Sequence, residues 1–434
     1  MYVHEQGAKR IADVRFYEVD MQVPQQVKQI LETLTQAGFQ AYAVGGCVRD
    51  AFLGREPEDW DITTDALPEQ VKGLFRRTVD TGIRHGTVTV LLKDKSYEIT
   101  TYRVDGAYSD GRHPDSVVFT PELSEDLRRR DFTINAMACA ADGRVVDLFG
   151  GREDLGKRRI RCVGDPDERF TEDALRILRA LRFSAQLDFD IEGATWEALK
   201  RHAPNLVNVS RERILAELNK MLLSGHPEKM SMLEEAGIIP WIGKELEDLL
   251  PSARIAALPA KKDLRWAAAF SEADGETART FLKNMKSDNE TADGAALLIS
   301  GIRGAVPEDL YGTRRLLSVY GQDRVREMIL LRRAGFGGPV SAEQLDLLEE
   351  RTDRILSAGD CLAVRNLALS GSDLIRMGIR PGPGLGSILG TMLDRVLRDP
   401  GLNTRECLER IAEEAAEGRG NVPGRKSGND DASE

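Results

Sequence analysis

The stretch that decides the fold is "AYAVGGCVRDAFLGREPEDWDITT", residues 41–64. With Gln40 before it, "QAYAV" reads as a strand. Gly45 and Gly46 then read as a turn, and "VRDAFL" as the opening of a helix. "WDITT" reads as the next strand. Side chains alternate along a strand, so Asp59 and Asp61 are expected on one side, with Trp60 pointing the other way into a core. Two carboxylates so placed form an oxygen-rich edge suited to Mg²⁺, which takes a few carboxylates plus substrate phosphates. Two such ions, ~3.5–4 Å apart, can activate an attacking hydroxyl and stabilise a leaving pyrophosphate. The Gly-Gly turn brings backbone N–H groups and a helix N-terminus close to a triphosphate, and Arg49 can add a charged clamp.

Each feature alone is weak. A lone D-x-D is more often two solvated aspartates and also occurs in nucleotide-sugar glycosyltransferases, and a lone Gly-Gly is usually a turn. Their order and closeness favour a metal-dependent nucleotidyl site. Glu98, in the strand "YEIT", is a third carboxylate that can complete the metal site; a solvent-facing strand glutamate reads equally well.

The 434 residues allow two or three domains, and 41% hydrophobic with 30% charged residues is a globular composition. No apolar run approaches the ~18–20 residues of a membrane span, and "MYVHEQGAKR" at the start has no apolar signal region. The chain is expected in the cytoplasm. Cys47, Cys139, Cys162, Cys361 and Cys407 fit neither a disulfide framework nor a zinc site and read as reduced, mostly buried thiols. The five histidines form no metal-hydrolase pattern, so catalysis must rest on carboxylates and arginines. A net charge of −11 argues against a nucleic-acid partner for the chain as a whole. Yet arginine and lysine bunch in "DLRRRDF", "GREDLGKRRIR" and "RILRALRF", and a local basic surface on an acidic protein suits selective nucleic-acid binding.

Residues 24–38 read as an amphipathic helix closed by glycine. "HGTVTVLL" and "SYEITTYRV" read as strands. The first 150 residues are therefore a mixed sheet with helices, and the chain is helical from there to about 415. "GIRPGPGLG" (378–386) is a tight loop entering a helix, and the polar end after 416 is expected to be disordered.

A second constellation lies in "TEDALRILRALRF" (171–183). On one helix, Asp173, Arg176, Arg179 and Arg182 recur at every third residue and line one face. The plain reading is an ion-paired, solvated helix. The sharper one is base recognition: an aspartate accepts from an exocyclic amino group while an arginine donates to the adjacent ring nitrogen. Cytosine and adenine both present that pair, and uracil and guanine do not.

With these motifs in place, the chain resembles the class II nucleotidyltransferases of the polymerase-beta superfamily, specifically the bacterial tRNA CCA-adding enzymes. The likeness is carried by "VGGCVRD…EDWDITT", "GIRHGTVTVLL", "DGAYSDGRHPDSV", "RRRDFTINAMA", "DLFGGRED", "RFTEDALRILRALRF" and "VSRERILAEL", through about the first half of the chain. The resemblance implies phosphate binding by Gly46 and Arg49, metal binding by Asp59 and Asp61, and a nucleotide contact from Arg130. Asp131 and Asn135 would hold the ribose and the local fold. The amino-acid template falls on Asp173 and Arg176, ordered by Glu172, with Arg179 and Arg182 contacting the nucleotide. "DGAYSDGRHPDSV" is similar to a loop that the family's CC-only enzymes lack, although His113 stands where arginine is commoner.

The resemblance implies an α+β fold: a nucleotidyltransferase head (1–150) with a mixed sheet, then an all-α neck (151–225), body (226–340) and tail (341–416), with residues 417–434 disordered. The expected activity is template-independent addition of C, C and A to the 3′ end of tRNA, from CTP and ATP with Mg²⁺, releasing pyrophosphate. No membrane or obligatory protein partner is expected. Rivals are an A-adding or poly(A)-making member of the family, and a non-catalytic RNA-binding protein on the same fold, which has no need of a metal edge.

Overall fold

The buried spacing of Val27, Ile30, Leu31 and Leu34 produces a helix over Gln25–Gln36 (α1) in the computed structural model, which describes residues 16–18, 21–93, 95–106 and 117–417. Burying each such side chain stabilises by roughly 1.5–3 kcal/mol. Gly38 then takes φ +93°, the left-handed backbone that lets the chain leave the helix. Of the loop "DGAYSDGRHPDSV", residues 107–116, His113 among them, lie outside the described residues, as does the tail beyond 417.

Besides a short parallel pair, Arg159–Ile160 with Asp190–Ile191, inside the stretch expected to be wholly helical, the strands in chain order are β1 (Phe16–Glu18), β2 (Ala41–Val44), β3 (Asp61–Thr64), β4 (Thr78–Gly82), β5 (Thr87–Leu92), β6 (Lys95–Thr101), β7 (Arg103–Asp105), β8 (Val117–Phe119), β9 (Met137–Cys139) and β10 (Arg144–Asp147). Eight of them form one sheet in the order β1-β10-β9-β2-β3-β6-β5-β4, while β7 and β8 pair as a separate hairpin. The sheet is mixed: β3 runs parallel to β6, and β2 runs antiparallel to both β3 and β9. Val44 faces Asp61 across β2 and β3, so the glycine turn after β2 and the carboxylate opening β3 meet at one end of the sheet.

The helices that follow in this part of the chain are α2 (Gly46–Phe52), α3 (Pro68–Leu74), α4 (Leu123–Arg128), α5 (Gly151–Gly156), α6 (Pro166–Glu172), α7 (Leu175–Leu187), α8 (Gly193–His202) and α9 (Arg211–Leu222). These elements belong to a compact unit of Met1–Ala256 and Thr280–Asp288. The second unit comprises Ala257–Arg279 and Asn289–Glu434, a coarser division than head, neck, body and tail. Its described residues form helices and no strands. Within it, one apolar cluster gathers Leu369, Leu374, Ile388, Met392 and Leu408, and another gathers Leu317, Val325, Ile329, Leu348 and Ile355. Ser341 and Gln344 close a reciprocal capping box at the start of Ala342–Ala358. The "PGPG" turn delivers Pro383 as the first residue of the helix Pro383–Arg398. Among the described residues, no helix is long and apolar enough to cross a membrane.

Two local expectations are corrected. β3 begins at Asp61, so Asp59 and Trp60 precede the strand, and Trp60 is only partly buried rather than seated in the core. "TEDALRILRALRF" is two helices rather than one. Asp173 adopts an extended backbone (φ −143°, ψ 104°) between α6 and α7. Its carboxylate accepts from the Leu175 N–H at 3.0 Å, which satisfies one of the free donors at the start of α7.

Candidate active site

Asp59 and Asp61 open onto a cleft of about 650 Å³ whose walls include Gly46, Arg49 and Arg182. Gly45 makes the turn possible. Its φ of +84° suits glycine, and a Cβ there would come within 3.0 Å of Arg130 Nη1. Both aspartates are exposed, and among the described residues neither has a lysine or arginine as an ion-pair partner. The Asp61 carboxyl is raised above its ordinary pKa because surrounding protein desolvates it and Asp59 repels its charge, while Arg130 opposes the rise. Two neighbouring carboxylates without an ion-pair partner among the described residues are a donor set suited to a hard divalent cation completed by substrate oxygens. Among the described residues, no three His, Cys, Asp or Glu gather into a cage for a metal ion. Glu98 lies on β6 beside β3, in the register that pairs Ile62 with the likewise buried Ile99. Alternation sends Glu98 and Asp61 to the same face. Glu98 is exposed and does not line the cleft.

The arginines are held in a connected network. Arg49 donates from Nε and Nη2 to Asp50, both at 2.8 Å, and from Nη1 to Asn135 Oδ1 at 2.8 Å. Asn135 donates to Asp131 Oδ1 at 3.1 Å, and Arg179 binds Asp131 Oδ2 through Nε and Nη2. Burial alone would raise the Asp131 carboxyl; Arg179 and the Asn135 amide hold it well below the usual carboxylate range. Asp131 and Asn135 therefore couple Arg49 to Arg179. Each Nη of Arg49 keeps one hydrogen to offer a phosphate.

The base-reading candidates stand apart from the cleft lining. Asp173 Oδ2 accepts from Arg213 of α9 at 2.8 Å. Arg176 donates to Glu172, to the Arg169 carbonyl at 3.2 Å and to the Arg129 carbonyl at 2.9 Å. Its Nε–H and one Nη2 hydrogen have no protein partner among the described residues, and those are the donors a base can use. Burial rules out the solvated-helix reading: Arg176 is 9% and Arg182 8% exposed. It also shrinks the basic surface suggested by the arginine runs, because Arg176 and Arg182 are turned inward. Arg182 pairs with the buried Glu217 at 2.5 Å. Burial pushes its guanidinium down to about 10, with Glu217 opposing, so it stays charged at neutral pH.

Sequence reading passed over Phe183, which looked like one more apolar position. The guanidinium carbons of Arg182, Arg49 and Arg179 lie 3.8, 5.0 and 5.5 Å from its ring centre. Two arginines one and four residues before an aromatic, and a third far upstream at position 49, cannot be recognised as a cluster until the helix and the turn are folded together. Each cation–π contact is worth roughly 0.5–2 kcal/mol. Phe183→Leu keeps most of the apolar volume and is expected to raise KM for both nucleotides ~10-fold while leaving KM for the RNA unchanged. Steady-state titrations check this, and equal KM values for wild type and variant would remove the ring from the site. Cys47 also lines the cleft, but burial and Asp61 push its thiol up to about 12, so it is no nucleophile. All five cysteines are free.

Comparison with known proteins agrees with this geometry. Residues 41–161 match the family model of the poly A polymerase head domain, and residues 188–250 match one described as "Probable RNA and SrmB- binding site of polymerase A". A CCA-adding enzyme of Leuconostoc mesenteroides is 39% identical over 407 residues, covering 91% of this chain and 98% of its own. One from Levilactobacillus brevis is 40% identical over 377 residues, covering 84% and 91%. The crystal structure of the Bacillus stearothermophilus CCA-adding enzyme in complex with CTP superposes with a TM-score of 0.79 at 33% identity, covering 93% of this chain and 100% of that one. Identity of this order across nearly the whole of both chains, together with a shared fold, means that this chain belongs to the CCA-adding enzyme family of metal-dependent nucleotidyltransferases.

Proposed function

We propose that this enzyme adds C, C and A in turn to the 3′ end of tRNA, using CTP and ATP without a nucleic-acid template, and that Asp59 and Asp61 hold Mg²⁺. The observation that carries the reading is the cleft in which those two unpaired carboxylates face Arg49, Arg182 and the Gly46 turn. In the reaction the terminal ribose oxygen bonds to the α-phosphorus, the bond to the β-phosphate oxygen breaks, and pyrophosphate leaves with that electron pair. The bound ion supplies Lewis acidity that lowers the pKa of the attacking hydroxyl and neutralises the leaving group. Gly46 and Arg49 bind the phosphates from one side, and Arg182 from α7 closes on them from the other. Asp173 and Arg176 read the base. The RNA is held mainly through its backbone and shape by the neck (151–225) and the helices that follow, to 416. The family description that matches residues 188–250 supports that part of the reading. The cytoplasm, where tRNA, CTP and ATP occur together, is its place of action.

The test gives the purified protein Mg²⁺ and tRNA transcripts ending before CCA or after CC, with CTP, ATP or both. Growth of the first transcript by three nucleotides followed by a stop is the expected result. Addition of one A, and only to the transcript ending in CC, would replace this reading with that of an A-adding enzyme.

A further inference from the structure

No part of the Asp126 side chain reaches solvent, yet it touches three elements of the site. Its Oδ1 accepts from Arg129 Nε at 3.0 Å and Nη2 at 2.8 Å. Its Oδ2 accepts from Thr63 Oγ1 at 3.1 Å and from Arg130 Nη2 at 3.5 Å. Thr63 sits on β3, two residues beyond Asp61, and its one hydroxyl hydrogen is within reach of either Asp126 or the Thr100 carbonyl on β6 at 3.2 Å. Arg130 packs against Gly45, and its charge acts on Asp61. The Arg129 carbonyl accepts from Arg176 at 2.9 Å. A single carboxylate on α4 thus joins the strand that carries Asp61, the arginine beside it, and the residue that seats Arg176.

Burying a carboxylate is expensive, and apolar packing often stabilises a core as well as an ion pair does. What an ion pair adds is orientation. Burial would raise the Asp126 carboxyl, but Arg129 and Arg130 outweigh it and hold the group below its usual range, so it stays ionised and keeps all four contacts. We infer that Asp126 is a positioning residue. It holds Arg130 against the glycine turn and beside Asp61, so that this arginine keeps one orientation at the phosphate end of the cleft. This inference rests on the nucleotidyl-transfer reading of the cleft.

The test is a double-mutant cycle on the full chain, followed in single-turnover extension of the transcripts ending before CCA and after CC. Asp126→Asn keeps the shape and removes the charge; it is expected to lower kcat/KM for CTP and ATP by about tenfold, chiefly through KM. Arg130→Ala is expected to cost about 100-fold, and the double variant to fall no more than about twofold below Arg130→Ala, because Asp126 acts through that arginine. Losses that multiply would make Asp126 a fold-supporting residue and overturn the inference. Where Asp126→Asn does not fold, Thr63→Val replaces it in the cycle. A loss of about threefold that vanishes in the Arg130→Ala background supports the inference, and a loss that persists there, or none at all, overturns it. A wild-type protein that extends neither transcript would instead overturn the reading of the cleft.

Discussion

Asp61→Ala abolishes addition of cytidine and adenosine alike, with an expected fall in the rate of the chemical step of at least ~10³-fold, while affinity for tRNA changes little. The two halves of this result have different origins. Asp61 is the first residue of β3, opposite Val44, so its carboxylate stands at the end of the sheet where the glycine turn also opens. Among the described residues no lysine or arginine forms an ion pair with it, and desolvation together with Asp59 raises its pKa against the pull of Arg130. A carboxylate kept short of partners next to another carboxylate is costly unless a cation completes it. Both nucleotides use the same phosphate chemistry, so loss of the cation site stops both. RNA binding, by contrast, is expected to draw on many backbone contacts spread over the helical region, and one acidic residue should contribute none of them favourably.

Folding is separable from this effect. Asp61 is exposed, so its truncation should alter stability by no more than about 0.5 kcal/mol. A melting curve near that of the wild type, taken with filter binding of tRNA, isolates the chemistry. Addition of either nucleotide within tenfold of wild type would remove Asp61 from the metal site. Asp59→Ala is expected to behave in the same way, although Asp59 lies on the turn before the strand.

Much of the fold was legible because its signals are local. Apolar spacing marked α1, the Gly-Gly turn marked the passage from β2 to α2, and the β-branched runs marked β5 and β6. What escaped was set by contacts across the chain. Asp59 and Trp60 continue the alternation of "DWDITT" on paper, but pairing to β2 starts only at Asp61 and to β6 only at Ile62. Asp173 fits a continuous helix by spacing, yet its side chain ends up as the hydrogen-bond acceptor for the next helix, and short polar side chains of this kind compete with the backbone for its donors. Arg213 and Asp126 belong to sequence runs with no visible tie to the site. Packing of α9 brings Arg213 to Asp173, and packing of α4 brings Asp126, which pairs locally with Arg129 and Arg130, to Thr63 on β3. The arginine runs misled in another way, since counting charge says nothing about which guanidinium turns inward.

Arg176→Ala carries the second large effect, on selectivity. Arg176 is fixed before any nucleotide arrives: Glu172 and two backbone carbonyls hold one edge of its guanidinium, and Arg213 holds the neighbouring Asp173. The free Nε–H and Nη2–H can then donate to N3 of cytosine or N1 of adenine, while Asp173 accepts from the exocyclic amino group. Uracil and guanine place a carbonyl against the aspartate and a ring N–H against the arginine, leaving buried polar groups unpaired at ~1–3 kcal/mol each. Removing the arginine should therefore lower the preference for CTP over UTP, and for ATP over GTP, by roughly 10- to 100-fold. The rate with the correct nucleotides falls as well, and tRNA affinity stays within about threefold. Glu172→Gln is the informative companion, because it leaves both reading groups in place and loosens only their support. A smaller loss of selectivity in that variant would show that preorganisation of the guanidinium, and not its charge alone, does the discriminating. Competition assays with paired nucleotides decide the matter: if Arg176→Ala slows all four nucleotides by one common factor, base reading lies with other residues.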